Sequence, residues 1–128
     1  MSQDDKIQLF ENKRIRTAWD EEEEEWYFSV VDIVAVLTDS ADPKQYIKKM
    51  RARDPELNLK WGTICTLVAM PTVDGKMRKI QAAKMEGVLR IIQSVPSKKA
   101  EPLKAWLARV GSDRIEETID PEKAIDRA

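Results

Sequence analysis

Residues 26–37, WYFSVVDIVAVL, leave this chain few ways to fold. Trp26, Tyr27 and Phe28 are bulky residues suited to a pleated, half-buried surface, so the stretch begins as a strand. Ser29 is a good N-cap and Asp32 stands three residues later. That is the spacing of a capping box, in which each side chain satisfies a free backbone N–H. A helix over 30–38 follows. It is apolar on nearly every side, interrupted only by Asp32 and Thr38, and a helix of that kind is a buried one. Its β-branched residues lower its own helix propensity, so tertiary burial has to hold it. The other elements are expected to pack around it.

At 128 residues the chain is one ordinary domain, long enough to bury a core without staples. With 42% hydrophobic and 35% charged residues it reads as soluble and globular. No apolar run approaches the length of a membrane span, and residues 1–10 do not read as a secretory signal. The single cysteine, Cys65, allows no internal disulfide, which fits a cytoplasmic setting.

Residues 7–10 predict a strand, 11–12 a turn, and 13–19 a second strand with Ile15 and Trp19 on the phase opposite Arg14 and Arg16. The six carboxylates at 20–25 repel one another and read as a solvated hairpin loop between Trp19 and Trp26. After a polar break, Asp42 as N-cap and Pro43 in the first turn start a helix over 43–53, PKQYIKKMRAR. Tyr46, Ile47 and Met50 share its inner side, and Asp54-Pro55 ends it. Residues 63–70 predict a strand, 73–76 a turn and 77–83 the returning strand. A helix over 85–93 is expected to turn Val88, Leu89 and Ile92 inward. Pro96 breaks it and Ser97 caps the next helix, in which Leu103, Trp106, Leu107 and Val110 are spaced i, i+3, i+4, i+7. Gly111 is expected to stop that helix, with short helical pieces near 113–119 and 121–127. The fold class is therefore α+β. It has N-terminal β-hairpin or meander strands, a helix-turn-helix-like pair, a second, wing-like β-hairpin and C-terminal helices. Residues 1–128 form one domain, expected to be the N-terminal part of a longer protein because the chain stops while still helical and charged.

A net charge of −1 hides a strong asymmetry. Residues 1–41 hold 4 Lys/Arg against 11 Asp/Glu, residues 42–84 hold 10 against 4, and residues 85–128 hold 8 against 8. A basic segment inside an acidic chain is what a local anion-binding surface needs. In a winged helix-turn-helix arrangement the second helix enters the major groove and the hairpin touches the backbone. Lys44, Lys48, Lys49, Arg51 and Arg53 then neutralise phosphates, Gln45 reaches a base edge, and Lys76, Arg78 and Lys79 extend the contact from the hairpin. The expected partner is double-stranded DNA, with two copies pairing over two half-sites. A solvated lysine-rich helix is the bland alternative.

Catalytic apparatus is thin. Without histidine there is no His-based triad and no His ligand for zinc. Cys65 in an apolar strand reads as a buried, unreactive thiol, and four glycines leave little room for a phosphate loop. Asp32 reads as a cap rather than a catalytic acid, and Glu86 and Glu101 lack partners at a metal-binding spacing. No enzyme, no cofactor and no metal are expected.

Several segments resemble the BRO N-terminal (Bro-N) domain of baculovirus BRO proteins, phage antirepressors and bacterial proteins similar to DNA-damage-inducible protein D. They are residues 14–19 with WYFSVVDIVAVL, DPKQYIKKMRARDPEL at 42–57, WGTICTLVAM at 61–70, GVLRIIQSVPSKKAEPLKAWLARVG at 87–111 and DPEKAIDRA at 120–128. Together they span nearly the whole chain. The resemblance implies a nucleic-acid-binding module joined to variable C-terminal domains in phage- or prophage-type regulation and the damage response, without a catalytic motif to carry over. A protein-interaction module without direct DNA contact is the competing reading. It would work through loop 20–25 or the C-terminal helices, with Trp61 and Trp106 as anchors. Core packing is the commoner use of both tryptophans.

Overall fold

The alternation in β2 (Lys13–Asp20) sets the two faces of the sheet. Ile15, Thr17 and Trp19 are buried on one face, while Arg14 is exposed and Arg16 half-buried on the other. The computed structural model describes residues 5–11, 13–72 and 74–119. β1 (Asp5–Phe10) pairs antiparallel with β2, and β3 (Glu25–Ser29) pairs with its other edge. Trp19 lies opposite Trp26 below the acidic turn, their rings meeting edge-on at 5.3 Å. β4 (Cys65–Pro71) and β5 (Met77–Lys84) form a second hairpin, and β5 pairs with β3. The two expected hairpins are thus one five-stranded antiparallel sheet in the order β1-β2-β3-β5-β4.

The sheet curls. β4 lies three places from β2 in the order, yet Met70 of β4 shares a small buried cluster with Ala18 of β2 and Ala82 of β5. The main core lies on the other face, under helices. α1 (Val30–Thr38) follows β3 directly and buries Val30, Ile33, Val34, Val36 and Leu37. α4 (Met85–Gln93) and α5 (Ala100–Ile119) complete the layer. Trp106 of α5 meets Phe10 and Phe28 edge-on at 6.1 and 6.0 Å, and its Nε1 donates to the Leu9 carbonyl at 2.8 Å. Trp61 and Trp106 are both core residues.

Several local expectations need correction. Ser29 does cap α1, its Oγ accepting from the Asp32 amide at 3.3 Å. The Asp32 carboxylate does not return the bond to Ser29, because the Arg16 guanidinium is a stronger, charged partner. Asp54-Pro55 ends α2 (Pro43–Arg53) and at once starts α3 (Pro55–Ile64), a helix the sequence reading left unassigned. Asp54 serves both ends: its N–H donates to the Met50 carbonyl, and its carboxylate accepts from the Leu57 amide at 3.1 Å. Only Leu57 and Trp61 of α3 are buried and Leu59 is 85% exposed, so its apolar periodicity is weak. In α4 the buried residues are Val88, Ile91 and Ile92, while Leu89 is 37% exposed. Gly111 does not stop α5. It is buried inside the helix, where an added Cβ would lie 2.6 Å from Cε of Met85, the flexible end of that side chain, so it packs against Met85 and makes no turn. The expected piece at 113–119 is a continuation of α5, and the one at 121–127 lies outside the described residues.

Candidate nucleic-acid interface

The Asp42 carboxylate accepts from the Gln45 amide at 3.1 Å, and Pro43 occupies the first turn of α2. Ile47 and Met50 hold this helix to the core. That leaves Lys44, Gln45, Lys48 and Lys49 exposed. The β4–β5 hairpin is closed by the Thr72 amide donating to the Lys76 carbonyl at 2.7 Å, with Gly75 at φ +83°. That φ suits glycine in a tight turn. The Asp74 carboxylate accepts from the Thr72 hydroxyl and the Lys76 amide, which hold its pKa below the usual range.

Between α2 and this hairpin lies an open groove of about 540 Å³. Lys44, Lys48 and Arg51 line it from the helix, and Arg78 and Lys79 from β5. No Asp or Glu lines it among the described residues. With Arg16 of β2, which also lines it, six cations from three segments share one cleft, which concentrates positive potential. Gln45 and Lys49 are exposed on α2 but do not line the groove, and Lys76 is exposed at the hairpin turn. Arg53 is turned away. Its guanidinium lies 5.6 Å from the Tyr46 ring and donates to the Ser94 carbonyl at 3.2 Å. Arg51 is braced, its Nε donating to Asn58 at 2.8 Å and its guanidinium 5.0 Å from the Trp61 ring.

The residue that sequence reasoning missed is Arg16. Its Nε and Nη2 donate to the two Asp32 oxygens at 2.8 and 2.9 Å, a fork-to-carboxylate pair, and its backbone N–H donates to Asp32 at 2.9 Å. Nη1 donates to the Pro71 carbonyl at 3.1 Å. One side chain thus ties β2, the first turn of α1 and the end of β4 together at the groove. The bond to Asp32 raises its pKa further. Its one sequence signal was an arginine on the non-core phase of a strand, which does not distinguish it from Arg14.

The acidic turn lies at the other end of the sheet. Lys84 pairs with Glu23 and, at 3.6 Å, with Glu25, and these carboxylates raise its pKa. Lys84 stands six residues from Arg78 along β5, about 20 Å at the rise of a strand. Cys65 is buried, and burial pushes its thiol up to about 12, so it is inert at neutral pH. Among the described residues no group of three His, Cys, Asp or Glu is placed to hold a metal ion, and no helix is long and apolar enough to cross a membrane.

Compared with curated proteins and with solved structures, the chain has no match. Residues 14–114 match the family model described as the BRO family, N-terminal domain.

Proposed function

The chain belongs to the BRO family N-terminal domain, and on that premise we propose that it is a DNA-binding regulatory module of a phage- or prophage-type antirepressor or BRO-like protein. The domain is non-catalytic and is found in phage and BRO proteins, some of which bind DNA. The observation that carries the reading is the convergence of Lys44, Lys48 and Arg51 with Arg78 and Lys79 on one groove free of carboxylates among the described residues. Among the described residues the side chains of Lys44, Lys48, Arg78 and Lys79 make no ion pair or hydrogen bond, so a phosphate backbone meets charges that need not first be released. Lys49 and Gln45, beside the groove on α2, and Lys76 at the hairpin turn widen the same contact. Arg53, held by Tyr46 and Ser94, is the weakest member of the expected set. Duplex DNA is the partner, and two copies pair to read two half-sites.

An anisotropy titration with duplex DNA at low salt tests this. The wild-type protein binds with an affinity that falls steeply as salt rises. Lys48→Ala with Lys49→Ala weakens binding across all sequences and lowers the salt slope by about 2. Absence of DNA binding at low salt, or equal affinity of the double variant, would remove the proposal.

A further inference from the structure

The groove has a second chemical character that a phosphate backbone does not use. Its wall of cations stands over aliphatic surface: Val31 of α1, Ile47 of α2, Leu67 of β4 and Ile80 of β5 all line it. Leu67 is 61% exposed, a large apolar side chain left open among charges. DNA phosphates engage the cations and leave these methyl groups uncovered. We propose that the groove also takes an acidic amphipathic peptide segment from a partner protein, with Leu or Ile side chains on the aliphatic floor and carboxylates against the rim.

Charge complementarity points to that occupant. The rim carries Lys44, Lys48, Arg78 and Lys79 without partners among the described residues, so an incoming carboxylate meets cations already available. An aliphatic floor with a basic rim matches a segment that alternates acidic and aliphatic side chains. A volume of about 540 Å³ is within the range of ligand clefts and accommodates several side chains. An unpaired nucleotide fits less well, because among the described residues no aromatic ring lines the groove for a base to stack on. The inference shares the rim cations with the DNA reading but rests on the aliphatic floor, which that reading leaves uncovered.

The test uses the full chain and labelled peptides of about 14 residues, about four helical turns. One peptide carries Glu and Leu at helical i, i+3, i+4 spacing, one alternates Glu and Leu as a strand would, and a control of each has every Leu replaced by Ala. At about 0.5 M salt, where surface charge pairs are largely screened, one of the Leu peptides should bind at least about tenfold more tightly than its Ala control. Leu67→Gln should remove about fivefold of that difference. The proposal is overturned if Leu and Ala peptides bind equally, which would mark a polyanion site. It is equally overturned if neither Leu peptide binds, or if a single-stranded oligothymidine binds and the peptides do not. A duplex titration on the same sample reports separately on the DNA reading: its failure beside peptide binding would sink that reading and leave this one standing.

Discussion

Two antiparallel hairpins of the sheet, β2–β3 and β4–β5, differ in what they do with their surface. The β2–β3 hairpin ends in the acidic turn but is rooted in the core by Ile15, Trp19, Trp26 and Phe28. Lys84 meets part of its charge within the molecule. The β4–β5 hairpin carries Arg78 and Lys79 near its tip and joins the rest through three residue pairs with β3, Cys65 and Ala83 in the main core, the small cluster around Met70, the Trp61 Nε1 bond to Gln81 and the Arg16 bond to Pro71. Leu67, Met77, Arg78 and Lys79 remain exposed. One hairpin is a structural wall. The other is a displayed arm whose charge awaits a partner. Because sheet and hairpin geometry are shared, the contrast comes from side chains.

The largest effect that can break this contrast is on stability. Phe28→Ala empties a fully buried site and should cost about 3–5 kcal/mol. Leu67→Ala on the displayed arm should stay within about 0.5 kcal/mol. Urea denaturation of both variants checks the pair, and similar losses would end the distinction between wall and arm.

Asp32→Asn comes next. It leaves Arg16 half-buried without its carboxylate, and a loss of about 1–3 kcal/mol is expected, below that of a fully buried pair because both groups keep some solvent. Hydrogen exchange should show the loss reaching residues 65–84 through the Pro71 contact. Unchanged protection there would mean that Arg16 does not hold the arm.

The charge of the two hairpin ends can then be removed separately. Arg78→Ala with Lys79→Ala should weaken DNA binding about tenfold or more at low salt. Glu22→Gln with Glu24→Gln should change it by less than about threefold, since neither residue lines the groove and Lys84, which pairs with Glu23, stands about 20 Å from Arg78 along β5. A stronger effect from the acidic pair would show that the two ends of the sheet communicate through the field.

The smallest effect is local and depends on pH. The folded-state pKa of Asp74 is lowered, first by the Thr72 hydroxyl and then by the Lys76 amide. A lowered carboxylate contributes above its unfolded value of about 3.9 and loses that contribution as pH falls through the folded value. Amide protection near Lys76 should therefore be higher in wild type than in Asp74→Asn at neutral pH, and the two should converge in acid. A difference that persists in strong acid would separate the turn from the ionisation of Asp74.

Much of the local structure was legible in the chain itself. A cap followed by an apolar run settles α1, Asp42-Pro43 starts α2, and alternation in β2 assigns its faces, because each signal acts within a few residues. Where local signals were weak or had two meanings, the reading failed. Asp54-Pro55 both ends one helix and begins another, and Gly111 fits a helix stop as well as a close contact. The candidate site shows the same division. The amino-acid order alone determines that residues 42–84 are basic, that α2 has a basic outer face and that a basic hairpin follows. Only the tertiary structure decided which of these cations meet: Lys44, Lys48, Arg51, Arg78 and Lys79 do, and Arg53 does not. It also supplied Arg16 and the aliphatic floor. The physical reason is the curl of the sheet, which brings β4 back toward β2 and the hairpin toward α2, a long-range closure to which no single segment's periodicity is sensitive.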